Sequence, residues 1–326
     1  MPDSPPELIR WETLTKKQFD RIDRAEAVVM VTCSPLEVHG PHLPLGTDAF
    51  EGEGLAEFAL GRLAERHRHR TFLKLPFIYA AADPVPQPGS IAFRPSTVQA
   101  MLVDLGRSLA AQGFRNVFVS NFHGSPRHFL AIEAACDRVH RETGMRMVCL
   151  FSLMLSRLDV EGSQLGDVLG HVEGVEKSDF DGDTHGGLVE TSHLLALHPE
   201  WVDPDYKTLP RRTVADWVGE QGRARKPQGG SGLAALPDIV ANAKDGLHYF
   251  VEETYSGHPE LASADLGEQF LDILSTKAAA AVDELLDGTL PKEQWHSPYW
   301  GMRHLFVNGL AVRFFDRVLD APKHVG

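Results

Sequence analysis

The sequence predicts an α/β fold built on a mostly parallel β-sheet with helices on both faces. Two observations predict it. Apolar runs of strand length alternate with longer amphipathic segments through the first half of the chain, joined by short connections, as in successive βαβ units. Polar, glycine-containing loops directly follow two of the strands, at the carboxyl ends where such sheets bind their ligands. The 326 residues, 43% of them hydrophobic and 24% charged, are enough for a substantial core.

The elements follow in order. "AVVMVT" (27–32) reads as a buried strand. "EGLAEFALGRLAERH" places Leu55, Phe58, Ala59 and Leu63 on one helical face. "TFLKLPFIYA" (71–80) is a second strand. "STVQAMLVDLGRSLAAQGF" is a helix capped by Ser96 or Thr97 and stopped at Gly113. "NVFVSN" (116–121) is a strand, "PRHFLAIEAACDRVHRET" a helix, and "MRMVCLFSLM" (145–154) a further strand. The acidic segment "LDVEGSQLGDVLGHVEGVEKSDFDGD" is expected as a lid or insertion over the site. A helix is expected from Gly187 to His198, and a flexible basic loop at "RARKPQGGSG". "SADLGEQFLDILSTKAAAAVDELLDG" is an amphipathic helix with Ser263 as N-cap and Gly288 as its stop. The domain is drawn over residues 1–287. Residues 288–326 are an aromatic C-terminal extension suited to docking or oligomer contact.

The formal net charge of −13 argues against nucleic acid or an anionic membrane as a partner and says little about a small-molecule substrate. No run approaches the roughly 18 apolar residues of a membrane span. The opening "MPDSPPELIRWETL" has neither a basic nor an apolar leader region. Cys33, Cys136 and Cys149 form no CxxC pair and read as reduced core thiols, so a cytoplasmic location is expected.

The chemistry concentrates in "SPLEVHGPHLPLGTDAF" (34–50), where Glu37, His39, His42 and Asp48 lie among helix-breaking prolines and glycines. A solvated turn and a metal site both account for it. Glu37 and His39, two apart in an extended segment, point the same way. A carboxylate shared between two cations suits the roughly 3.5–4 Å spacing of two-metal hydrolases. Mixed imidazole and carboxylate ligands favour Zn²⁺, Mn²⁺ or Fe²⁺. His123 in "SNFHGS" stands at a strand end, where a core histidine is awkward. His185 and Glu190 in "HGGLVETS" flank a Gly-Gly turn at a helix start. His42 reads as loop structure rather than a ligand. The histidines of "ERHRHR", with His140 and His304, are expected at the surface.

Three motifs together resemble the creatininase (creatinine amidohydrolase) superfamily. They are Glu37-x-His39-Gly40-x-His42-Leu43-Pro44-x-x-x-Asp48, Asn121-x-His123-Gly124 after a core strand, and His185-Gly186-Gly187-x-x-Glu190-Thr191-Ser192. "PGSIAF" (88–93) is similar to the family's Pro-Gly-Thr loop, and the similarity spans about residues 8–287. The resemblance implies a three-layer αβα sandwich, two divalent metal ions (Zn, Mn or Fe), hydrolysis of non-peptide C–N bonds, often in cyclic amides, and a homo-oligomer from dimer to hexamer. It places Glu37, Asp48 and His123 on one metal, and His39 with a bridging Asp48 on the other. The family's last carboxylate, two residues beyond the second-motif histidine, is Ser125 here, and Glu190 takes its place. His185 would shuttle a proton to the leaving nitrogen while the metals activate water. Ser90, Ser125, Asp181 and Asp183 are the candidate substrate contacts. Creatininase has a tryptophan and an aspartate just before the third-motif histidine, whereas this chain has Asp181-Gly182-Asp183-Thr184, so creatinine itself does not carry over as substrate. The leading expectation is ring opening of a small polar amide. Cleavage of an activated C–C bond in an oxidised sugar or inositol ring, trimming of a small peptide, or a non-catalytic binding role are the alternatives.

Overall fold

The computed structural model of the protein describes residues 8–158, 165–225 and 236–321. Its sheet contains β1 (Ile9–Arg10), β2 (Val28–Ser34), β3 (Phe72–Lys74), β4 (Ile78–Tyr79), β5 (Asn116–Ser120) and β6 (Arg146–Cys149). The order is β1-β3-β2-β5-β6, with β4 also on β2, and every pairing is parallel. β2 is buried along its whole length, as its unbroken apolar run requires of a strand covered on both faces. It pairs with β3 on one side and β5 on the other, so the chain reverses its direction of travel across the sheet at β2. In open α/β sheets that reversal opens the crevice in which ligands bind.

The helices are α1 (Lys16–Phe19), α2 (Thr47–Arg66), α3 (Pro95–Ala111), α4 (Pro126–Thr143), α5 (Leu150–Arg157), α6 (Leu165–Leu169), α7 (Leu188–Leu197), α8 (Val214–Glu220), α9 (Leu236–Glu252), α10 (Ala264–Leu286), α11 (Arg303–Val307) and α12 (Gly309–Leu319). Right-handed crossovers running in opposite directions from β2 put α2 on one face of the sheet and α3 with α4 on the other. α10 packs with α2, α5 and α7. The result is a three-layer αβα sandwich. Among the described residues no helix is long and apolar enough to cross a membrane.

Several elements differ from the sequence expectation. The run 71–80 is two short strands, because Pro76 lacks the N–H a continuous ladder needs. The run 145–154 leaves the sheet at Cys149 and becomes α5, since an apolar stretch of this length does not distinguish strand from buried helix by periodicity. α3 starts at Pro95, whose fixed φ suits the first helical position, so Ser96 and Thr97 lie inside the first turn and supply no cap. Ser263 does cap α10, its side chain accepting from the Leu266 N–H, and Gly288 follows the helix at φ +74°. The acidic insertion is no lid in its described part. Leu169, Val172 and Phe180 sit in the main core, with Phe180 edge-on to Phe270 at 5.8 Å. Residues 159–164 of it, and 226–232 of the basic loop, lie outside the described residues. His67 is buried, not exposed, and its Nε2 lies 2.8 Å from Asp283 where α2 meets α10. His140 is half-buried with Nδ1 on the Met145 carbonyl, and the three cysteines are free and buried.

The C-terminal extension folds back on its own domain. α11 packs on α3 and α4, and α12 meets α9. Trp300 stacks on His296 at 3.9 Å, and Asp316 of α12 pairs with Arg127 of α4 at 2.5 Å.

A candidate metal centre

The loop after β2 and the loop after β5 emerge from adjacent parallel strands at the same end of the sheet, so Glu37, His39 and His123 converge without further help. Asp48 arrives differently from the sequence expectation. It is in the first turn of α2, which begins at Thr47 rather than beyond the loop. The early start is hidden by Gly52 and Gly54, which read as breakers but serve packing. A Cβ on Gly52 would stand 3.1 Å from the Asn121 backbone, and one on Gly54 2.6 Å from Leu197. The glycines let α2 lie close against the β5 loop and α7, and that closeness places Asp48. Its position at a helix N-terminus favours the ionised carboxylate.

The third contributor, α7, opens at Leu188 after the turn Gly186-Gly187. Asp183 caps it, accepting from the Leu188 N–H at 2.7 Å and the Val189 N–H at 3.0 Å. A Cβ on Gly187 would come within 1.7 Å of the Asp183 carboxylate, which is why only glycine fits there. In the first turn of the helix, Glu190 reaches back toward His39, its Oε2 also accepting from the Gly186 N–H at 2.5 Å.

Two groups result, and they share one residue. The ligating atoms of Glu37, Asp48 and His123 lie within 4.8 Å of one another, and so do those of His39, Asp48 and Glu190. His123 Nδ1 is 3.0 Å from Glu37 and 3.6 Å from Asp48. His39 Nε2 is 3.4 Å from Asp48 and 3.6 Å from Glu190. The far side of each group is committed to backbone. Val85 N–H donates to Glu37 Oε1 at 2.6 Å, His39 Nδ1 meets the Glu37 carbonyl at 3.1 Å, and His123 Nε2 meets the Ala82 carbonyl at 3.2 Å. Each imidazole therefore turns its other nitrogen toward the carboxylates, the orienting role such outer bonds play for metal ligands.

Three of the inner atoms make no hydrogen bond. Glu37 Oε2, His39 Nε2 and Asp48 Oδ2 are buried with no hydrogen-bond partner among the described residues. Buried polar atoms rarely go unpaired. Three carboxylates and two imidazoles converging on two adjacent points, with unpaired atoms on Glu37, His39 and Asp48, fit a pair of divalent cations, whose charge would offset that of the carboxylates.

Without metal the electrostatics are those of a proton-filled site. Burial alone would lower the pKa of His39, but Asp48 and Glu190 outweigh it and raise it to about 10. For His123 burial again opposes, and Glu37 and Asp48 raise it to about 9. Burial lifts Glu190 to about 7 against the pull of His39. His185 differs. Burial and the neighbouring His39 hold it well below the ordinary histidine value, so it is neutral. Its Nε2 donates to the Val38 carbonyl at 2.6 Å and its ring stacks on His39 at 4.0 Å. A ligating nitrogen of His185 also lies within 4.8 Å of Glu37 and His39, which makes it a neighbour of the centre.

Beneath the site, Glu51 and His193 meet at 2.8 Å with no solvent exposure. Each sits three residues beyond a candidate ligand, Asp48 on α2 and Glu190 on α7. Burial, with Glu190 and Asp48 nearby, raises Glu51 well above the carboxylate range, and burial lowers His193 to about 3. The pair is thus a neutral acid donating to a neutral imidazole, pinning the two helices together without adding charge.

A cavity of about 460 Å³ opens on the centre. Glu37, Asp48, His123, His185, Glu190 and Ser125 line it. Ser125 donates to Asp83 at 3.1 Å. Ser90 is not in the cavity. Its Oγ accepts from the Val38 N–H at 3.1 Å and braces the first loop. Asp181 is exposed and Asp183 is the half-buried cap of α7, and neither is in the cavity lining. His42 binds Thr191 Oγ1 at 2.8 Å and ties the loop to α7. Sequence reasoning missed Arg225, Phe250, Phe306 and Leu319, which also line the cavity. The only hint of Phe306 was the aromatic richness of the tail.

Comparison with known proteins agrees with this architecture. A sequence model of the creatininase family, described as creatinine amidohydrolase, matches residues 12–282. A mycofactocin precursor peptide peptidase from Mycolicibacterium smegmatis is 28% identical over 227 residues, 69% of this chain and 80% of that protein. A creatinine amidohydrolase from Pseudomonas putida is 27% identical, over 59% of this chain and 73% of its own. The crystal structure of a creatinine amidohydrolase superposes with a TM-score of 0.61 at 21% identity, over 86% of this chain and 98% of that one. A manganese creatininase superposes at 0.59 with 21% identity, over 86% and 99%. A family match over most of the chain, on a fold that converges the three motifs, places this chain in the creatininase family of amidohydrolases.

Proposed function

We propose that the chain is a two-metal amidohydrolase that opens a small polar cyclic amide with water. The observation that carries it is the pair of ligand groups sharing Asp48, with unpaired buried atoms in both. Glu37, Asp48 and His123 would hold one ion, and His39, Asp48 and Glu190 the other. Two such ions supply Lewis-acid activation of a water and of a carbonyl oxygen. Zinc or manganese suits the donor set, and relatives of this fold are a Zn–Zn and a manganese creatininase. The protein's own contribution is placement and proton handling. His185 is neutral and keeps one nitrogen engaged with the Val38 carbonyl, so its other nitrogen can take a proton and pass it to a departing amine. The test is metal content together with turnover of a panel of lactams and cyclic ureides. Two equivalents of metal and chelator-sensitive ring opening are expected. A metal-loaded protein inert toward every amide ring would sink this reading.

A second reading, trimming of a short peptide on the same centre, is favoured by the cavity. Its volume of about 460 Å³ and its apolar walls exceed what one small ring fills. The 28% identical relative is a peptide peptidase. Hydrolysis of dipeptides without ring opening would select it.

Metal uptake is expected to be proton-linked. With His39 near 10 and His123 near 9, both imidazoles carry a proton at pH 7.5, on the nitrogens a metal would take. Loading two ions should therefore release about two protons, and affinity should fall as the pH is lowered. Calorimetric metal titrations in buffers of different ionisation enthalpy measure the count. A release of zero would mean that the imidazoles are already neutral.

A further inference from the structure

Two arginines line the cavity at the candidate centre, neither used by the proposed chemistry, and one of them has no carboxylate partner among the described residues. Arg225, just beyond α8, lines it and is half-buried. Its Nε is buried without a hydrogen-bond partner, and among the described residues no carboxylate pairs with it. The acid whose charge acts on it is Asp245, and Asp245 is already engaged by Arg223 at 2.9 Å. The other arginine of the cavity, Arg127, is satisfied on both sides, by Asp83 at 3.3 Å and Asp316 at 2.5 Å. A partly desolvated guanidinium with no paired anion is costly. A chain with net charge −13 has acids to spare for it, yet leaves it facing the cavity. Beside it, Leu247 and Phe250 of α9 and Phe306 and Leu319 of the C-terminal extension supply an apolar surface.

We propose that Arg225 is the anion-binding residue of this cavity, so that the amide hydrolysed here carries a carboxylate for Arg225 and an apolar group for the α9 and tail surface. The inference rests on the amidohydrolase reading for the reaction but not for the binding. A planar guanidinium takes a carboxylate with two parallel hydrogen bonds, which discriminates it from a neutral amide of the same shape. The carboxylate could belong to a carboxylated lactam or to the C-terminus of a short peptide.

Matched pairs of probes separate these cases: 5-oxoproline against its carboxamide, and Leu-Phe against Leu-Phe amide. Binding to the zinc-loaded full chain is measured by calorimetry, and turnover in parallel. At least one acid should bind about tenfold or more tightly than its amide, and which acid does so identifies the source. In Arg225→Gln that ratio should fall to near one with two metal equivalents retained, and Arg225→Lys should keep part of it. A preference that persists in Arg225→Gln would come from the metals themselves and overturns the proposal. So does the absence of any preference, including failure of both acids to bind. Binding preference without hydrolysis would leave Arg225 in its role and count against the amidohydrolase reading alone.

Discussion

Asp48→Asn is expected to strip the protein of both metal ions and to lower turnover by about three orders of magnitude or more. Asp48 is the one residue common to both ligand groups, 3.4 Å from His39 and 3.6 Å from His123. Asparagine keeps the shape at the start of α2, so the loss falls on the site and not on the fold. Without metal, the carboxylate is held well below its usual range, burial being outweighed by His39 and His123. Removing it should let the pKa of both imidazoles drop, which proton NMR of the metal-free variant would show. Glu190→Gln, by contrast, touches one group and should cost one equivalent. Stoichiometric metal in Asp48→Asn would show that the shared-carboxylate arrangement is not how this chain binds its ions.

His185→Ala should leave both ions in place and reduce turnover by about a hundredfold to ten-thousandfold, the range for a removed general acid–base. The stacking on His39 and the bond to the Val38 carbonyl hold the ring still, and burial with His39 beside it keeps it neutral. The same residue lies within ligating distance of Glu37 and His39. Metal content therefore decides its role. Loss of one equivalent in His185→Ala would make it a ligand, and unchanged turnover would leave it a packing group.

Which parts were legible in the sequence follows from where the information sits. Glu37, His39 and His123 could be placed because each follows a buried strand directly, and parallel neighbours end at one rim. Glu190 could be placed because a Gly-Gly turn announces a helix start. Asp48 was found but misplaced, in a loop rather than on α2, because glycines that serve close packing look locally like breakers. The apolar run after Met145 looked like one strand because buried helix and buried strand share a composition. Asp181 and Asp183 were expected at the substrate, yet one faces solvent and the other caps α7. Nothing local distinguishes a capping aspartate from a binding one when both precede a helix. Arg225 and Leu319 left no trace, and Phe306 only the aromatic richness of the tail, since tertiary packing far along the chain brings them to the cavity.

Phe306 and Leu319 also lie beyond residue 282, where the family match ends. The candidate ligand groups and part of the apolar wall beside them thus lie in different stretches of the chain, one inside the family match and one beyond it. A change confined to the terminal helices could alter what fits beside the candidate centre and leave its ligand groups undisturbed. For this chain, trading the tail with that of a relative would be a direct way to retarget an unaltered reaction.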